Sequence, residues 1–289
     1  MKIFHHCLPC FARQAVEAAE MSTDDPELQE KIIRAALKKA SEIPFDKSPP
    51  HMGKEIHRII KSLLGDVDPY KSLKDLYNKK AMDLYPRMKE TVAAADDPLE
   101  TAVRLAIAGN IIDFGVSVKN NHFRLIDVIE DTLKRPFAVE QYQEFKEDVT
   151  NAKKILYAGD NAGEIVFDRI LIEEIPEFKE KVVYVVKSSP VLNDVTIDDA
   201  RETGLTDIVE VIQNGSDAPG TILEDCSDLF LKTYREADTV IGKGQGNYET
   251  LSEFCEKCYY LLKAKCPVLA RDLKVGVGDI VLKKQEPFA

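Results

Sequence analysis

The chain contains no tryptophan, and aromatic residues make up only 8% of its 289 positions. It also lacks any apolar run near the roughly 20 residues that cross a bilayer, which excludes a membrane-spanning helix. The opening stretch MKIFHHCLPCFARQ is too short, and too interrupted by His, Cys and Pro, to read as a secretory signal. A cytoplasmic protein is therefore expected. Positive charge is in deficit: 39 Lys and Arg face 50 Asp and Glu, for a net charge of −11. That balance excludes a broad basic surface for nucleic acid and disfavours an anionic membrane surface. A locally positive pocket within an acidic shell remains compatible with it. Six cysteines in so long a chain do not make a disulfide scaffold. There is no internal repeat and no low-complexity segment. Abundant Lys and Glu without Trp fit a thermophilic source, as a compositional hint only.

What is present changes character near residue 150. Residues 1–150 carry apolar residues at helical spacing and predict an all-helical N-terminal domain. Its helices are expected at Phe11–Met21, Leu28–Ile43, His51–Leu64, Leu73–Met82, Leu99–Ile112 and Glu140–Ala152. Asp24-Asp25-Pro26 places a proline for a first helical turn. From residue 151 to 289, short continuous apolar segments alternate with helices. Strands are expected at Ile155–Ala158, Val182–Val186, Ile208–Ile212, Thr239–Ile241 and Tyr259–Lys263, with a last strand or hairpin within Val275–Lys284. Continuous apolar strands imply a sheet covered on both faces. Their alternation with helices predicts an α/β fold, a Rossmann-like, mostly parallel sheet with right-handed crossovers.

Chemistry-bearing residues fall where strands give way to helices. Lys154–Asp168, KILYAGDNAGEIVFD, reads as a buried strand, a glycine turn, Asp160-Asn161, then a helix from about Gly163. The crevice at the carboxyl ends of parallel strands is where open α/β sheets bind ligands. Asp and Asn there suit a hard divalent cation, and the helix N-terminus suits an anion such as phosphate. An ordinary capped turn fits the same residues. After the second strand, Asn193-Asp194-Val-Thr196 repeats the arrangement at an equivalent position. Neighbouring strand ends lie about 5 Å apart, so Asp160, Asn161 and Asp194 are expected to converge on one cation. Here too, Asn193 or Asp194 as a simple helix cap is the alternative. A third strand end carries Gly242-Lys243-Gly244-Gln245-Gly246-Asn247. It is neither a Walker A loop nor a dinucleotide fingerprint. Its alternate glycines allow close backbone approach, so Lys243, Gly244, Gly246 and Asn247 read as a phosphate cradle. In the helical part, Asn110 and Asp113 are three apart and share a helix face. They either line the cleft or mark a helix end capped by Gly115.

Taken together, GNIIDFG, GDNAGEIVFD, NDVTIDDA and GKGQGNYETL, with CLPC near the start, resemble the damage-control phosphatase family. That family was long catalogued as domain of unknown function 89, and the chain is similar to its stand-alone archaeal and bacterial branch. The resemblance covers essentially the whole chain, with the motifs in family order. It implies a helical part packed on a Rossmann-like domain, and a divalent-metal-dependent phosphatase of small phosphorylated metabolites. By the same resemblance Asp160, Asn161 and Asp194 bind the metal, Lys243 holds the phosphate, and Asn110 and Asp113 line the site. The substrate within the family varies and is not implied.

The residues fit this chemistry independently. Phosphoryl transfer needs positioning and charge neutralisation above all. A cation held by two carboxylates and an amide keeps positions open for water and a phosphate oxygen. Magnesium, manganese, cobalt and nickel are all compatible cofactors. Asp160, Asp194 and Lys243 are then the catalytic candidates, with metal-bound water as nucleophile and attack by Asp160 as the competing route. Two other functions are weighed: an S-adenosylmethionine-dependent methyltransferase, with Asp194 on a ribose, and a non-catalytic metal- or metabolite-binding protein. The acidic pair at the first turn would repel a carboxylate ligand, which counts against the methyltransferase. Cys7 and Cys10 stand before a helix and suggest a redox or structural role. A zinc site joining them to Cys255 and Cys258, far along the chain, is disfavoured. The expected partner is a small phosphorylated metabolite, with no nucleic acid and no membrane. The sequence does not set the oligomeric state.

Overall fold

The computed structural model describes residues 1–111 and 122–288. Five helices come first: α1 (Cys7–Ser22), α2 (Pro26–Glu42), α3 (Pro50–Leu64), α4 (Lys71–Ala93) and α5 (Pro98–Ile111). Asp25 caps α2 by accepting from the Glu27 and Leu28 N–H groups, and Pro26 fills the first turn as expected. α4 does not stop at Met82. It continues through Pro86 because Leu84, Met88 and Val92 on its far half are buried, and that packing outweighs the proline's lost hydrogen bond. After α6 (His122–Lys134), a two-residue strand β1 (Val139–Glu140) precedes α7 (Tyr142–Asn151). Periodicity cannot reveal so short a strand, and the sequence had assigned Glu140 to a helix.

The second half alternates as predicted. β2 (Ile155–Ala158) leads to α8 (Glu164–Glu173), a short α9 (Phe178–Lys181), β3 (Val182–Val186) and α10 (Ile197–Glu202). Then come β4 (Glu210–Gln213), α11 (Asp228–Glu236), β5 (Thr239–Lys243), α12 (Gly244–Leu251), β6 (Cys258–Lys263), α13 (Pro267–Leu273) and β7 (Ile280–Lys284). β4 starts two residues later than expected, because a 3₁₀ turn at Leu205–Asp207 occupies the approach. The glycine-rich segment is not a loop: Gly244 opens α12 directly.

The sheet order is β1-β7-β6-β5-β2-β3-β4. Every pairing is parallel except β6 with β7. All residues of β2, β3 and β5 are buried, as a sheet covered on both faces requires. Alternation along β2 sends Ile155 and Tyr157 into one core, with α4, α5, α7 and α8. Leu156 and Ala158 enter the other, with α1, α2, α3, α12 and α13. Helices that precede residue 150 thus cover both faces of the sheet. From β2 the chain runs outward through β3 and β4, then returns to place β5 on the opposite side of β2. This reversal makes the β2–β5 crevice a topological switch point, the favoured place for a ligand.

Candidate active site

The turns after β2 and β3 are stitched to each other by backbone hydrogen bonds. Val195 N donates to the Asp160 carbonyl at 2.8 Å, and Ala162 N to the Asn193 carbonyl at 2.9 Å. Asn161 and Asp194 face each other in an isolated antiparallel bridge. The structure therefore brings Asp160, Asn161 and Asp194 together at adjacent strand ends. From α4, the buried Asn78 accepts from Gly163 N at 2.7 Å and donates to Asp199 of α10 at 3.0 Å. One side chain so ties both turns to the helical region. Lys74, one turn earlier, pairs with Asp199 at 2.9 Å.

Beneath these turns lies a network of carboxylates and amides. Asn161 Nδ2 donates to Asp160 Oδ2 at 2.8 Å and to Glu164 Oε2 at 3.0 Å. Asn110, from α5, donates to the same two oxygens at 2.9 and 3.1 Å. Asp113 lies outside the described residues. Gly244 makes room for this arrangement. Its φ is +72°, and a Cβ there would overlap the Asp160 carboxylate.

Charge is poorly balanced at this point. Burial, then the nearby Glu164 and Asp194 carboxylates, push the Asp160 carboxyl well above its usual range, with Lys265 and Lys187 only partly opposing. Burial lifts Asp194 to about 6 against the pull of Lys187, its ion-pair partner at 3.5 Å. Asp194 Oδ2 has no hydrogen-bond donor closer than this long ion pair, and the Lys187 ammonium also donates to the Gly220 carbonyl. Among the described residues no cation forms an ion pair with Asp160. The two amides on Oδ2 solvate this carboxylate but bring no positive charge to it, which is costly for an ionised group withdrawn from water, and a divalent cation would relieve that. Two carboxylates and an amide oxygen suit a hard ion of this kind. Among the described residues, no three or more His, Cys, Asp and Glu side chains are arranged to hold a metal by themselves. The set here depends on Asn161.

A cleft of about 370 Å³ opens over these groups, with Asp160, Asn161 and Asp194 in its lining. Gly246 also lines it, and Arg13 and Lys265 bring positive charge to it. Lys243 does not reach it. Its side chain is fully buried and its ammonium donates to Glu164 Oε1 and Asp168 Oδ1, each at 2.6 Å, and to the Ala106 carbonyl at 2.9 Å. All three N–H groups are thereby used. Burial pulls this ammonium down, but Asp168 and Glu164 more than offset it, and the net direction is up. Asn247 is likewise committed, donating to the carbonyls of Ala158, Gly159 and Lys243 and accepting from Thr221. Cys7 and Cys10 do line the cleft, joined by Cys266 on another wall. Burial raises the thiols of both Cys7 and Cys10. Cys255 and Cys258 are joined in a disulfide, so they supply no thiolates to a zinc site.

Sequence reasoning missed Glu164, Asp168 and Lys265. The signal for the first two was present. They are four apart, so they share one face of an otherwise apolar helix, EIVFDRILIE. Two acids on a buried face call for a buried cation, and Lys243, ending the apolar strand TVIGK, is that cation.

A mostly parallel α/β sheet with a carboxylate–amide cluster at its strand ends is the arrangement in which open α/β proteins bind ligands. Residues 3–281 match the damage-control phosphatase ARMT1-like domain, and the chain belongs to that family. A damage-control phosphatase of Pyrococcus horikoshii is 37% identical over 292 residues, covering 99% of each chain. One from Archaeoglobus fulgidus is 36% identical over 293 residues, covering 99% of this chain and 100% of the relative. An uncharacterized Methanocaldococcus jannaschii protein is 41% identical over 295 residues, covering 99% of this chain and 96% of that one. The crystal structure of a domain-of-unknown-function-89 protein from Pyrococcus horikoshii superimposes with a TM-score of 0.91 at 35% identity, covering 99% of this chain and 100% of that one. The family resemblance read from the motifs, and the α/β fold it implied, are both borne out.

Proposed function

We propose that the protein is a divalent-metal-dependent phosphatase of small phosphorylated metabolites. One observation carries the reading: Asp160 and Asp194 meet Asn161 at the floor of a cleft, and no described cation pairs with Asp160. The relatives named damage-control phosphatases support the reaction class. Asp160, Asn161 and Asp194 would hold the ion, magnesium, manganese, cobalt or nickel, through carboxylate and amide oxygens. When bound, the ion would act as a Lewis acid and neutralise phosphate charge.

The chain's own groups do the rest. Lys265 and Arg13 at the cleft are placed to attract a phosphate dianion into an otherwise acidic protein. The N–H groups at the start of α12, beside Gly246, add partial positive charge. Lys243 serves from below, neutralising Glu164 and Asp168. The acidic floor opposes the carboxylate of S-adenosylmethionine, so the methyltransferase reading is not favoured.

The test is phosphate release from an aryl phosphate by metal-stripped protein titrated with magnesium, manganese, cobalt and nickel. Turnover is expected to return with metal and to be lost in Asp160→Ala and Asp194→Ala. Equal turnover with and without metal, or none with any of the four, overturns the reading.

A further inference from the structure

The geometry points to Glu164 as the positioning residue that fixes which atoms of Asp160 and Asn161 face a cation, with Lys243 holding Glu164 in place. This rests on the metal reading above. Glu164 is 1% exposed and is absent from the cleft lining, so it cannot touch substrate. Both of its oxygens are occupied. Oε1 takes the Lys243 ammonium at 2.6 Å. Oε2 takes one hydrogen from each of two amides, Asn110 at 3.1 Å and Asn161 at 3.0 Å.

The same two amides give their other hydrogens to Asp160 Oδ2. Two carboxylate oxygens and two amide nitrogens so close a ring. The ring has a directional consequence. Asn161 Nδ2 is bound on both hydrogens, which leaves Oδ1 as the amide's outward atom. Asp160 Oδ2 is likewise used, which leaves Oδ1 for the cleft. An asparagine amide is nearly symmetric in shape, and only its hydrogen bonds decide which end faces where. Without the Glu164 acceptor, Asn161 gains little from keeping Nδ2 inward. Turned around, it would aim N–H groups at the ion. An acidic partner behind a ligating side chain is the general way proteins orient metal ligands, and its loss typically costs about 10–100-fold in affinity or activity.

The experiment is calorimetric titration of Mn²⁺ into metal-stripped wild type and Glu164→Gln, with thermal unfolding of each metal-free protein and kinetics at saturating Mn²⁺. The glutamine keeps the shape but turns an acceptor into a donor against Lys243 or the amides. Mn²⁺ binding is expected to weaken about 10–100-fold, with most of kcat regained at saturating Mn²⁺ and KM for the phosphate ester little changed. Should Glu164→Gln lose cooperative unfolding, Glu164→Asp carries the same test, since it keeps a buried negative charge for Lys243 while drawing the acceptor back from the Asn161 and Asn110 amides. Unchanged Mn²⁺ affinity in a folded variant overturns the inference. So does a kcat that stays low at saturating metal with normal binding, which would make Glu164 a participant in the reaction. Failure of the wild type to bind Mn²⁺ overturns the metal reading itself and is separately visible.

Discussion

Replacing Gly244 by alanine perturbs the site through a single added carbon. Gly244 has a φ of +72°, where an L-residue costs roughly 1–2 kcal/mol. The new Cβ would also overlap the Asp160 carboxylate and stand 3.0 Å from Asn110 Nδ2. Restoring contact distance requires Asp160 to withdraw by on the order of 1 Å. A displacement of that size at a reacting centre can cost about 100-fold in rate. Gly65→Ala is the control for backbone strain alone. Gly65 also has a positive φ, +83° with ψ −164°, a region essentially reserved for glycine, but open space around its missing Cβ. Both variants are expected to lose stability by urea denaturation, on the order of 1–3 kcal/mol. Only Gly244→Ala should lose metal-dependent phosphate release and Mn²⁺ affinity. If Gly244→Ala retains turnover within about twofold, Asp160 tolerates displacement and its assignment as a ligand fails.

Other expectations follow from buried charge. Burial lifts Glu249 from 4.5 to about 7, only partly offset by Gln245 and the N-terminal ammonium. A raised folded pKa favours the protonated form, so this contribution is full below about pH 4.5 and lost as pH rises through about 7. Glu249→Gln should then gain up to about 3 kcal/mol over wild type at pH 8 and nothing at pH 4, by urea denaturation. An equal gain at both values refutes the burial argument. Lys243→Met strands Glu164 and Asp168 without their cation and should cost about 3–5 kcal/mol by thermal unfolding. A stable variant with only a raised KM would instead put Lys243 on the phosphate. Lys265→Ala should raise KM for a phosphate ester while leaving the melting temperature unchanged, and Lys265→Arg should restore it. Unaltered KM in the alanine variant removes Lys265 from the site. Cys7 and Cys10 should react slowly with iodoacetamide at neutral pH and faster in alkali, because burial raises both thiols. Rapid labelling at pH 7 would contradict that.

The most legible parts of the sequence were those governed by a strong local signal. β2 and β3 were readable to the residue because each is a continuous apolar run between turn residues. The Asp160-Asn161 and Asp194 turns were readable because acids at strand ends are conspicuous. Their meeting required one long-range fact, that β2 and β3 are neighbours, and the alternating pattern supplied it. Lys243 was misplaced for an instructive reason. Glycines on both sides of a lysine at a strand end read as a phosphate cradle, and local pattern carries no sign that Glu164 and Asp168 wait on another element to bury it. β1 was illegible because two residues have no period. The length of α4 was illegible because burial of Leu84, Met88 and Val92, not propensity, carries the helix past Pro86.

The helices that cover both sheet faces are synthesised before the sheet exists. α1 to α5 leave the ribosome with apolar stripes that pack partly on one another and partly on partners encoded only from Ile155 onward. The last of those partners, β7, pairs in the finished sheet with β1, whose Val139 lies beside Val281. Neither core can close until nearly the whole chain has emerged. Folding must then satisfy contacts of long sequence separation, which slows it and prolongs exposure of sticky surface. Such a chain has most need of protection during its own translation.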